Sequence, residues 1–74
     1  PVVFRFNGIR FHFFSNEGDP REPLHIHAQR AECLAKIWLH PDAVADNHGF
    51  SASELRVILE QVAEHATKLE RVWN

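Results

Sequence analysis

The chain has 74 residues, enough for one hydrophobic core and too few for two. Eight lysines and arginines against ten aspartates and glutamates leave a formal net charge of −2, which excludes a uniformly basic nucleic-acid binder. A single cysteine, Cys33, excludes an intramolecular disulfide and a zinc site built on cysteines within one chain.

No stretch has the basic, apolar and small-residue order of a signal peptide, and none approaches the roughly 20 apolar residues of a membrane span. The expectation is a soluble, cytoplasmic single domain over residues 1–74 with no membrane partner. The first local signal is a hairpin. Val2 to Phe6 and Ile9 to Phe14 flank Asn7-Gly8, a pair that readily takes the positive φ angles of a type I′ turn. A two-residue loop places Phe6 opposite Ile9, Phe4 opposite Phe11 and Val2 opposite Phe13 on one apolar face. Arg5 then faces Arg10, and Val3 faces His12, on the other.

Residues 15–23 form an acidic loop carrying Glu17, Asp19 and Glu22, stiffened by Pro20 and Pro23 and bent at Gly18. Leu24 to Ala28 alternates with period two, so Leu24, Ile26 and Ala28 share one face while His25 and His27 share the other. A fourth strand, Leu34 to His40, turns Ala35, Ile37 and Leu39 inward and Lys36, Trp38 and His40 outward. Pro41 ends it. Asp42 to Phe50 then predicts a connection with room for one short helical turn before Gly49. Ser51-Ala-Ser-Glu54 has the capping-box spacing that opens a helix. Leu55, Ile58, Leu59, Val62, Ala66, Leu69 and Trp73 continue it as one apolar stripe about 20 residues long. The predicted fold is α+β: a four-stranded, largely antiparallel sheet with one long C-terminal helix on its apolar face.

The second sheet face would then collect Arg5, Arg10, His12, His25, His27, Lys36, Trp38 and His40, with Val3, Phe14 and Leu34. None of the four strands contains an Asp or Glu. Arg5 opposite Arg10 calls for an anion, supplied by the acidic loop, by a partner's carboxylates or by phosphate. Trp38 or Phe14 stacking on bases, with Arg5, Arg10 and Lys36 on phosphates, would suit RNA. A partner protein or a second copy covering the exposed aromatics is the plainer use of the same face.

The His25-x-His27 pair admits further readings. Two imidazoles about 7 Å apart on one strand face can share a divalent metal with Glu17, or with Asp19, Glu22 or His12. They can also do acid/base work beside Glu17 or Glu22 without a metal. The ordinary alternative is a pair of half-exposed strand histidines hydrogen-bonded to the loop. Pro1 invites comparison with tautomerases that use an N-terminal proline as base, but the element order differs from theirs. Cys33 has no histidine base nearby in sequence, His48 and His65 are isolated, and the helix charges, including Glu64 and Lys68, suit a solvated face.

Phe-Phe-Ser-Asn-Glu-Gly-Asp-Pro-Arg-Glu-Pro at 13–23, His-Ile-His at 25–27, Ala-Lys-Ile-Trp-Leu at 35–39, Gly-Phe-Ser-Ala at 49–52, Glu-Leu at 54–55 and Trp73 resemble a family of short bacterial domain-of-unknown-function proteins. These often occur in two-gene, toxin–antitoxin-like operons. The chain departs from that pattern at Leu24, where proline is common, and at Ala31 and Cys33, where glycine is usual. The resemblance implies a small cytoplasmic protein with a partner encoded next door, and it brings no established catalytic residues to transfer onto this chain. The leading expectation is a component of such a pair, acting through the cationic face and the loop. A metal- or histidine-dependent hydrolase and a non-catalytic homodimer are the alternatives.

Overall fold

The computed structural model describes residues 2–13 and 23–73. Over these it forms a five-stranded sheet in which β1 (Val2–Phe6), β2 (Ile9–His12), β3 (His25–Arg30), β4 (Cys33–Leu39) and β5 (Asp42–His48) follow one another in space as in sequence, every pair antiparallel. Two helices, α1 (Ala52–Glu64) and α2 (Ala66–Trp73), follow the sheet. The α+β class and antiparallel pairing agree with the sequence reading, whereas the strand and helix counts do not.

The Asn7-Gly8 turn forms as expected, with φ of 51° and 77°. Phe6–Ile9, Arg5–Arg10 and Phe4–Phe11 are in the expected register. Beyond them Val2 lies opposite His12, so Val3 is the extra residue of a bulge and the expected Val2–Phe13 and Val3–His12 pairs do not form. β3 runs two residues past its expected end. It joins β4 through Ala31-Glu32, with Ala31 at φ 54°. Leu24 lies just outside the strand, where its carbonyl accepts from the Leu39 amide at 3.2 Å.

Asp42 to Phe50 is the main correction. In place of a connection with a helical turn, Asp42–His48 is an edge strand paired with β4 from Leu39–Asp42 to Leu34–His48. The two-residue link His40-Pro41 returns the chain directly onto β4, so pairing overrides the low strand propensity of Asp, Asn and Ala. After β5 the Asn47 side chain holds the next bend from both ends: Nδ2 donates to the Phe50 carbonyl at 3.0 Å, and Oδ1 accepts from the Phe50 amide at 3.2 Å. Gly49 takes φ 100° within that bend, against Cys33.

Ser51 caps α1 as expected. Its hydroxyl accepts from the Glu54 amide at 3.1 Å, and Glu54 Oε1 accepts from the Ser51 amide at 2.8 Å. The other Glu54 carboxylate oxygen takes the Arg30 guanidinium, tying the helix start to β3. The single long helix breaks at His65. The His65 ring, through Nδ1, donates to the Gln61 carbonyl at 2.8 Å, and it stacks on Phe4 at 3.7 Å, which itself stacks on Phe11 at 4.3 Å. The break is local: the His65 amide still donates to the Gln61 carbonyl at 3.1 Å and the Leu69 amide to the His65 carbonyl at 2.9 Å, while His65 itself takes φ −103° and ψ 12°.

Beneath the helices lie Ile9, Phe11, Phe13, Ile26, Ala28, Ala35, Ile37, Leu39 and Phe50, joined by Ile58, Val62 and Leu69 from above. Burying each large aliphatic side chain contributes about 1.5–3 kcal/mol, so the stripe that predicted one helix still accounts for how both halves are held.

Candidate interaction face

The opposite sheet face is ordered in rows set by strand pairing. One row runs Arg5, Arg10, Gln29, Leu34, His48. The next runs His12, His27, Lys36, Asp46, and a third holds His25 and Trp38. The parity of Arg5, Arg10, His12, His25, His27, Lys36 and Trp38 is therefore as expected, and all of them share this face.

Their exposure is not uniform. Arg5 and Arg10 are exposed, and His12, Lys36 and Trp38 are half-buried. His25 and His27, expected to be half-exposed, are buried at 0% and 7% relative exposure. His25 meets Trp38 at 5.7 Å, Trp73 at 5.2 Å and His27 at 5.2 Å between ring centroids, all edge-on or steeply inclined. Its Nδ1 donates to the Pro23 carbonyl at 2.9 Å, which places a proton on that nitrogen and fixes the orientation of the ring. His27 lies 5.8 Å from the His12 ring. The Lys36 ammonium sits 4.6 Å from the Trp38 ring, a cation–π contact.

His40 is not part of the face. It occupies the β4–β5 turn, where Nε2 pairs with Glu70 at 2.8 Å and ties the sheet to α2. Phe14, Glu17, Asp19 and Glu22 lie outside the described residues, as does Pro1. Among the described residues, no group of three or more His, Cys, Asp or Glu side chains is placed to share a metal ion. The sequence reading of a metal at His25 and His27 takes its third ligand from Glu17, Asp19, Glu22 or His12; the three carboxylates lie outside the described residues, and the His12 ring lies 5.8 Å from that of His27.

β5 changes the charge of the far end. Asp46 stands opposite Lys36 and pairs with His48 at 3.1 Å, so the acid-free character of the first four strands does not extend across the sheet. The cationic character is concentrated at the β1–β2 end. There Val2, Arg10, His12 and Gln29 line a shallow depression of about 180 Å³. Burial lowers the His12 pKa below its ordinary value, and the Arg10 charge acts in the same sense against the opposing effect of a hydrogen bond that the ring donates to the Gln29 side chain. Gln29 was missed because the third strand was ended at Ala28, although it continues the alternation of His25 and His27. Arg30 was missed for the same reason.

Taken together, these features define a small meander sheet backed by two helices, with a buried histidine–tryptophan centre and a cationic margin on its open face. The chain belongs to the family described as Domain of unknown function (DUF4160), whose model matches residues 8–74. No curated protein and no solved structure matches it. Among the described residues no helix is long and apolar enough to cross a membrane.

Proposed function

We propose that this chain is one component of a toxin–antitoxin-like pair and binds a partner protein through the β1–β2 end of the open sheet face. The supporting observation is the Arg5–Arg10 pair. The two side chains are directly opposed across the ladder and exposed, and among the described residues neither is ion-paired with a carboxylate. Like charges so placed disfavour the isolated fold by up to about 1 kcal/mol, and an acidic partner surface removes that penalty. On the same face His27 is buried beside His12 in the next row, and His25 is closed in by Trp38 and Trp73, so the exposed contact surface is the arginine margin.

Co-expression with the protein encoded next door tests the reading. Wild-type chain is expected to co-purify with it, and Arg10→Glu to lose it while keeping its circular dichroism spectrum and melting temperature. Retained binding by a folded Arg10→Glu protein would refute this face. Growth scored with each protein expressed singly and together tests the paired toxicity, and identical growth in every case would remove that part.

A second reading, a histidine-dependent hydrolase acting on a phosphodiester such as RNA, is favoured by His12. A ring kept neutral beside a guanidinium suits a general base next to an anionic substrate. Cleavage of a defined oligoribonucleotide should then disappear in His12→Asn and weaken with salt. No cleavage by the wild-type protein, with or without added Zn²⁺ or Mn²⁺, would exclude it together with the version that uses His25, His27, Glu17 and Glu22.

A further inference from the structure

We infer that the partner docks by strand addition: an extended, acidic segment of the partner pairs with the outer edge of β1. This rests on the reading of the chain as a partner-binding component, and it specifies where and how the contact is made.

The backbone argument starts at the Asn7-Gly8 loop. In a hairpin closed by two residues, the pair flanking the loop, here Phe6 and Ile9, exchanges both main-chain hydrogen bonds. Antiparallel pairs then alternate, so Arg5–Arg10 is a non-bonded pair with close side chains, and the Arg5 N–H and C=O point away from β2. β1 ends the sheet, and among the described residues no strand lies beyond it. These outward groups are therefore placed to receive a strand.

Side chains determine which strand. Arg5, Arg10 and Gln29 form one cross-strand row, and an added strand would put its own residue next in line, about 5 Å from Arg5. A carboxylate there meets the outermost of two adjacent guanidinium groups. On the opposite face Phe4 and Phe6 are only partly buried, so the neighbouring positions of the added strand favour apolar side chains. The segment that fits alternates acidic and apolar residues.

The arginines disfavour a second copy as occupant: pairing through β1 would bring another Arg5 and Arg10 to an already cationic margin.

Amide exchange of ¹⁵N-labelled chain, alone and bound to the co-expressed neighbour protein, provides the test. In the complex the Arg5 amide should be protected at least about tenfold, while those of Phe4 and Phe6, already bonded to β2, change little. Arg5→Glu should weaken the complex at least about tenfold. A complex that leaves Arg5 unprotected overturns strand addition and leaves the partner reading standing, whereas absence of any complex removes both. Protection of Arg5 in the chain alone, together with a dimeric mass, would assign the edge to a second copy and overturn the inference. Equal protection by an oligoribonucleotide would also overturn it.

Discussion

Ala31→Gly should make this protein more stable. Ala31 is the first of the two residues linking β3 to β4 and holds φ 54°; Glu32 does not share the positive φ, so the loop has the pattern in which glycine is the usual first residue. An L-residue in the left-handed region costs about 1–2 kcal/mol relative to glycine. Glycine returns about 0.4–1 kcal/mol of that by widening the unfolded ensemble. The net gain is about 0.5–1 kcal/mol, which raises the melting temperature of a domain this small by roughly 3–6 °C. Urea and thermal unfolding followed by Trp38 and Trp73 fluorescence measure it, with Glu32→Gly as a control expected to destabilise. An unchanged or lowered midpoint for Ala31→Gly would refute the account of this turn.

Gly49→Ala should destabilise by about 2–4 kcal/mol, since its Cβ would lie 2.9 Å from Cys33 Sγ at a φ of 100°. Adding Cys33→Gly should recover part of the loss, and a wild-type melting curve for Gly49→Ala would contradict the crowding. Asn47→Ala, which removes both bonds to the Phe50 backbone, should cost about 1–2 kcal/mol in urea titrations; no change would mean that the bend holds without it. Glu54 is held down to about 2 by the Ser51 amide and Arg30, below its ordinary value of 4.5. Because the folded pKa is the lower one, this stabilisation is present above about pH 4.5 and lost as pH falls toward 2. Melting of wild type and Glu54→Gln should therefore converge across that window, and a constant gap would show that the carboxylate's ionisation is not involved.

Much of this architecture is written in local chemistry. Asn7-Gly8 specifies a hairpin because few dipeptides tolerate two consecutive positive φ angles. Ser51 and Glu54 specify a helix start because their side chains satisfy amides that no helical carbonyl can reach. β5 was not legible, since Asp42 to His48 has one β-branched residue and is a strand through its pairing with β4. The apolar stripe keeps its phase across His65, so a local break that leaves the bonds from His65 to Gln61 and from Leu69 to His65 in place makes no mark in periodicity. At the candidate face, alternation placed His25 and His27 on the correct side. It could not show that Trp38 and Trp73 close around His25, because Trp73 reads as part of the helix's own apolar stripe.

The nearest-neighbour order of the strands bears on how quickly the chain can fold. Each pairing closes a short loop or the link across residues 13–24, so the sheet can grow without first bringing distant segments together. The stack of Phe4 on His65 is different, for it joins the first strand to the helix break near the other end of the sequence. We expect that contact to form late, after the hairpins and α1. Until then β1 would be held by its own hairpin, while the rest of the domain had already condensed.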